Sequence, residues 1–335
     1  MDKKGSGQND VEKVVVTGGA GFIGSHLAEE LARRGYYVII LDDLSTGRLK
    51  NITDLLRKDN ARFVRSSITE LSLLRKLFQG VEYVFHHAAI ARVPHSIEDP
   101  LTTNEVNIRG TLNVLMAARE NRVRKVIHAS SSAVYGETPS LPQREAMTPN
   151  PLSPYALTKS AGENYCEIFR QIYGLSTVSL RYFNVYGPRQ DPHSQYATVI
   201  PAFIRSISRN LPPIIFGDGE QSRDFIFVED VVRANILAAK THAQGPYNIG
   251  SGKSITINHL AEVILSLMQK DSQPIREKPR TGDPRHTLAE ISKAEGFGYK
   301  PEYSLEEGLE ATIPFYAHHG TNDKSVLLRQ TPNAN

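Results

Sequence analysis

Short aliphatic, β-branched runs alternate along the first half of the chain with longer stretches in which apolar residues recur at helical spacing. Val14 to Val16 reads as a buried strand running into Thr17-Gly18, and Ser25 to Arg34 as a helix stopped by Gly35. Tyr37 to Leu41 is the next strand and ends at Asp42-Asp43. Arg62 to Val64, Tyr83 to His86, Lys125 to Ala129 and Ser176 to Arg181 repeat the strand type. Helices are expected between them near 69–79, 104–120 and 154–173. Such alternation predicts an α/β chain with a parallel sheet covered by helices on both faces. After about residue 184 the texture changes, with prolines at 188, 192, 201, 212 and 213 predicting a smaller, less regular lobe. Residues 12–183 are therefore expected as one domain, rejoined by a segment near 225–250, with 184–224 and 251–318 as the second lobe. Residues 1–11 and 320–335 read as polar tails.

Composition narrows the classes. The 335 residues are 40% hydrophobic, enough for a large core. With 39 basic against 36 acidic side chains there is no nucleic-acid footprint. No apolar run approaches the roughly 20 residues of a membrane span, and MDKKGSGQND lacks a signal peptide's apolar region. The single cysteine, Cys166, cannot form an intramolecular disulfide and reads as a buried packing residue. A soluble, cytoplasmic protein is expected.

Candidate chemistry begins at Gly18, Gly21 and Gly24, set between a strand and a helix. Gly18 permits a tight turn, Gly21 lets backbone approach a pyrophosphate, and Gly24 lets the helix sit close to the sheet. The helix N-terminus then offers amides to phosphate oxygens. Asp42, 18 positions beyond Gly24 at the end of the next strand, can hold both ribose hydroxyls and would repel a 2′-phosphate. A dinucleotide site is predicted, with NAD favoured over NADP. Asp43 is either a second ribose contact or a solvated loop carboxylate.

Tyr155 and Lys159 stand one helical turn apart, behind an expected N-cap at Ser153 and first-turn Pro154. A free tyrosine has a pKa of about 10. A neighbouring ammonium, a helix N-terminus and a positively charged nicotinamide all favour the phenolate, so the pKa is expected to fall and Tyr155 to act as a base. Ser130, Ser131 and Ser132 follow the Lys125 to Ala129 strand and offer a hydroxyl to relay the proton. The His86-His87 pair and His286 read as structural, since no carboxylate or cysteine set accompanies them, and no metal site is predicted.

TGGAGFIGSH at 17–26, HHAA at 86–89, SSSAVYG at 130–136, SPYALTK at 153–159, RYFNVYGPRQDP at 181–192 and GDGEQSRDFIFVED at 217–230 together carry a resemblance. Over about residues 12 to 318 the chain resembles the NAD-dependent sugar epimerase/dehydratase family of extended short-chain dehydrogenases/reductases, and is most similar to its UDP-hexose 4-epimerases. The resemblance implies a Rossmann domain holding NAD, and a smaller lobe for a UDP-sugar. It implies cofactor contacts at Gly18, Gly21, Phe22, Ile23, Gly24, Asp42, Asp43, Ser45, Thr46, Gly47, Ser67, Ile68, Ala88, Ala89, Asn107, Tyr155, Lys159 and Tyr182. Ser131, Tyr155 and Lys159 match the catalytic set. Ser132, Asn184, Arg223, Arg280, Asp283 and Thr287 match substrate positions with Ser131 and Tyr155. An arginine's planar fork suits the diphosphate. Two positions depart from the family: Ser67 stands where an aspartate often binds adenine, and Ile90-Ala91-Arg92 replaces a stretch carrying a cofactor-contacting lysine.

Dehydratases resembling this family carry Thr-Asp-Glu where this chain has Ser131-Ser132-Ala133. With no acid there for elimination, the resemblance implies 4-epimerisation of UDP-Glc/UDP-Gal. Thr287 matches a gatekeeper position, and its small size implies room for the 2-acetamido group of UDP-GlcNAc/UDP-GalNAc. A UDP-glucuronate epimerase or decarboxylase, and a non-catalytic nucleotide-sugar sensor, are the alternatives. Apolar residues Val106, Leu112, Leu115, Ile168, Phe169 and Ile172 fit either a homodimer bundle or packing on their own sheet.

Overall fold

In the computed structural model, which describes residues 11–138, 140–191, 198–279 and 284–319, seven strands form one parallel sheet. Their order is Gly245–Ile249, Thr177–Tyr182, Lys125–Ser131, Val81–His86, Lys13–Thr17, Tyr37–Asp42, Ala61–Arg65. The chain winds outward from Lys13–Thr17 in one direction, then restarts at Val81–His86 and winds in the other. That reversal opens a crevice at the carboxyl ends of the two central strands, where the glycine turn begins.

Side-chain alternation divides the core. Val14 and Val16 enter a cluster with Leu27, Leu31, Val231 and Ile236 of the helices Phe22–Arg33 and Val228–Lys240. Val15 points to the opposite face, against Leu74, Leu115, Cys166 and Phe169 of the helices Leu71–Leu77, Gly110–Glu120 and Pro154–Tyr173. Strands buried on both faces explain the continuous aliphatic runs.

Three elements differ from the sequence reading. The first helix begins at Phe22 rather than Ser25, because Gly21 is already extended and serves as its N-cap. The 104–120 segment is not one regular helix: Glu105–Arg109 forms a π-turn before Gly110–Glu120. Beyond residue 184 the chain is more helical than its prolines imply, with helices Val199–Ser208, Val228–Lys240, Ile257–Leu267 and Leu305–His319. Pro201 falls in the first turn of its helix, where no intrahelical donor is lost, and Pro188, Pro212 and Pro213 lie outside helices. Three of these helices close around Tyr186, Phe203, Phe225 and Leu260 in a separate apolar cluster. No helix among the described residues is long and apolar enough to cross a membrane.

Candidate active site

Gly18 sits at φ +67° and donates its amide to Leu41 O at 2.8 Å. A Cβ there would lie 2.7 Å from Ala88 N, and one at Gly24 would overlap the Gly18 carbonyl, so bare glycine is needed for both approaches. The helix starting at Phe22 directs its first-turn amides into the crevice. Asp42 is buried at the turn's rim, accepting from Ala20 N (3.0 Å) and Leu44 N (2.8 Å). Burial raises its carboxyl above the usual range, against the two amides that favour the anion. Asp43 faces outward and accepts from Ser45 N. Ser45 and Thr46 are exposed beside it, while Gly47 lies against the Asp42 carboxylate, where a Cβ would come within 2.6 Å. Phe22 and Ile23 pack toward the smaller lobe's cluster. The turn, the open helix start and the single buried carboxylate fit a dinucleotide carrying free ribose hydroxyls.

Across the crevice, Thr17 Oγ1 accepts from His87 N and Ala88 N, each at 3.2 Å, and bonds His86 Nδ1 at 2.8 Å. His86 also reaches Thr111 Oγ1 at 2.9 Å. Burial first, then the nearby Lys159, pushes both His86 and His87 down to about 3, so both are neutral. Ala89 lies beside them, half-buried. Ser67 is occupied locally, its Oγ accepting from Thr69 N and Thr69 Oγ1, and Ile68 is buried beneath Gly110. Tyr182 gives its hydroxyl to Asn235 Oδ1 at 2.9 Å and stacks on His87, so it orients the His-Ala-Ala segment.

Ser153 caps the Pro154–Tyr173 helix through its Oγ, which accepts from Ala156 N. The half-buried Tyr155 shares a hydrogen bond with Ser131. Lys159 Nζ donates to Ala129 O at 2.7 Å and lies 5.9 Å from the Tyr155 ring centre. The polypeptide's own groups do not produce the expected fall. Burial holds the Tyr155 phenol above its ordinary value, and the Ser131 hydrogen bond offsets that only in part. Burial lowers Lys159 to about 8, with Glu163 opposing.

Asn107 lies on the π-turn, and the extra residue aims its amide inward. Its Oδ1 accepts from Ile90 N (2.8 Å), while Nδ2 donates to Ile90 O and Thr158 Oγ1, both at 3.0 Å. It therefore ties the His-Ala-Ala segment to the Pro154–Tyr173 helix.

On the facing lobe, Asn184 begins the strand Asn184–Tyr186, paired with Phe225–Phe227. Thr287 is buried, with its Oγ1 donating to Asn184 Oδ1 at 3.4 Å. Arg223 is buried on a short strand paired with Ile255–Thr256, donating to Ser222 O and Arg285 O. Ser132 opens a 3₁₀ turn beyond Ser131. Arg280 and Asp283 lie outside the described residues.

Sequence reasoning missed two buried carboxylates. Glu163 accepts from Ser130 Oγ at 2.5 Å and pairs bidentately with Arg181 at 2.9 and 2.7 Å. Its only sequence signal is its place one turn beyond Lys159 on the same helix face. Asp224 accepts four hydrogen bonds from distant loops; in sequence it stands only as part of the 217–230 motif, with nothing to name its partners.

Residues 14–250 match the family described as NAD dependent epimerase/dehydratase. The chain belongs to this family. It is 43% identical over 302 residues to a putative UDP-glucose 4-epimerase of Methanocaldococcus jannaschii, covering 90% of this chain and 97% of that one. A UDP-N-acetylglucosamine 4-epimerase of Methanobrevibacter ruminantium, solved with UDP-N-acetylmuramic acid, shares 43% identity at a TM-score of 0.90 over 92% of this chain and 99% of its own. A UDP-glucuronic acid 4-epimerase of Bacillus cereus, solved with UDP-glucuronic acid and NAD, shares 35% identity at a TM-score of 0.85 over 92% and 99%.

Proposed function

We propose that this chain interconverts the C4 epimers of UDP-hexoses, acetylated and not, with NAD held in the crevice throughout. The observation that carries this reading is the hydrogen-bonded Ser131–Tyr155 pair, with Lys159 anchored beside it on Ala129 O. Bound NAD supplies a hydride acceptor at the sugar carbon and returns the hydride to the product. The polypeptide does the rest. Tyr155 takes the C4 hydroxyl proton, Ser131 holds the oxygen and relays that proton, and Lys159 supplies positive charge against the phenolate. Arg223, with Arg280 and Asp283, holds the diphosphate and its ribose while the 4-keto sugar turns over. Neither Ser132 nor Ala133 can remove a second proton, which disfavours elimination. Similarity to the UDP-glucose and UDP-N-acetylglucosamine epimerases supports the same choice.

The test is incubation of the purified protein with UDP-Glc and UDP-GlcNAc separately, without added NAD, followed by product separation. Epimer in both reactions is expected; turnover of UDP-glucuronate alone would overturn the assignment. Thr287 is expected to set the breadth of substrate. Thr287→Tyr should lower kcat/KM for UDP-GlcNAc about tenfold or more relative to UDP-Glc, because the ring takes the space of the acetamido group.

A homodimer is part of the proposal. Leu115 and Phe169 are buried on their own sheet and are withdrawn from the expected bundle face, and Val106 and Leu112 pack there too. Ile168 and Ile172 remain exposed on the catalytic helix, with Leu157 and Leu101. Pro100, Ile108, Leu152 and Leu157 line an apolar cleft beside them. An unpartnered face of this extent supports docking of a second copy.

A further inference from the structure

We propose that Asp224 is a positioning residue for the UDP-sugar, fixing Arg223, Asn184 and Thr287 as one rigid wall; this rests on the UDP-sugar reading above. Its side chain is wholly buried. Oδ1 accepts from Ser251 N and Ser251 Oγ, both at 2.7 Å, and Oδ2 accepts from Gly252 N at 3.1 Å and Ala289 N at 3.0 Å. One carboxylate thus joins the turn after the strand Gly245–Ile249 to the segment carrying Thr287. Its backbone completes the wall. Asp224 N donates to Thr287 Oγ1 at 3.4 Å, and Asp224 O accepts from Asn184 N at 3.0 Å. Arg223 is the adjacent residue, so its guanidinium is aimed by whatever fixes this strand.

The hydrogen-bond partners by themselves favour the anion. All four partners are donors, and a protonated carboxyl must give up one acceptor site to keep its hydrogen. Tyr299, packed nearby with its hydroxyl on Gly250 O, is a further titratable neighbour, and Asp230 lies beyond it. Arg223 directs its guanidinium to Ser222 O and Arg285 O. Burial lifts the Asp224 carboxyl to about 6 in spite of its donors. Burial thus opposes the anion more than the four donors favour it, so the wall is held by geometry and is not released by protonation. Gly250 makes room for the arrangement, since a Cβ there would lie 2.9 Å from Asp224 Oδ2.

The test compares Asp224→Asn with the parent protein, as purified with its cofactor, by calorimetric titration with UDP and by steady-state kinetics. The asparagine keeps the shape but presents an amide N–H₂ to backbone donors. Its UDP affinity is expected to fall about tenfold, with the loss appearing in KM more than in kcat. Equal UDP affinity in the two proteins, or a loss confined to kcat, overturns the proposal. If Asp224→Asn does not fold, Ser251→Ala removes one of the four bonds and should weaken UDP binding by a smaller factor, about threefold; unchanged affinity there also overturns it. A parent protein that binds UDP but turns over no UDP-sugar refutes the epimerase reading and leaves the Asp224 result standing.

Discussion

Tyr155 and Lys159 occupy surroundings that pull against the roles proposed for them. Burial disfavours both the phenolate and the ammonium, so the site depends on fixed partners: Ser131 for the phenol, Ala129 O and the Glu163 charge for the amine. Tyr155→Phe should lower kcat about a thousandfold while leaving UDP affinity within about twofold, as loss of a general base does. Near-parental turnover would refute its assignment. In the role proposed for it Lys159 must be charged, so its value of about 8 predicts an alkaline limb of the activity profile there, with turnover falling as pH rises. Glu163 raises that value, so Glu163→Gln should move the limb to lower pH. A kcat profile whose alkaline limb stays in place would show that Glu163 only packs. The change also leaves Arg181 buried without its partner, at a cost of about 3–5 kcal/mol in stability, so thermal unfolding belongs beside the kinetics.

At the scale of elements, the regular parts were the readable ones. Strands buried on both faces announce themselves as aliphatic runs, and the glycine turn and the Ser153 cap act through local spacing. The π-turn was not legible, because nothing in Glu105 to Arg109 distinguishes it from an ordinary helix. Its purpose shows only in the three-dimensional partners of Asn107. Asn107→Ala should remove three hydrogen bonds, lower stability by about 2–4 kcal/mol and reduce turnover through displacement of the catalytic helix. A variant with unchanged melting temperature and rate would show that the link is dispensable. The second lobe's helices were less legible for a related reason: its prolines read as breakers, although Pro201 falls where a helix tolerates one. Likewise, Glu163 and Asp224 look in sequence like any solvated carboxylate. Their roles come from contacts with residues 18 and 65 positions away, to which no periodicity points.

For the whole molecule, the exposed apolar face beside the catalytic helix is expected to be covered by a second copy. Leu101→Glu together with Leu157→Glu should shift the particle from dimer to monomer in light scattering, with little effect on the fold, since both side chains already meet solvent at 82% and 56% exposure. A parent protein that is monomeric at micromolar concentration would refute the pairing.

The sheet's strand order carries a consequence for how the chain is made. The Gly245–Ile249 strand is last in sequence, yet it seals the edge beside Thr177–Tyr182. Until that strand leaves the ribosome, the backbone of Thr177–Tyr182 remains an open template for mispairing. Nor can the sheet be completed by a chain truncated after its first six strands. Nascent chains of this protein should therefore lean on protection from chaperones until late in translation.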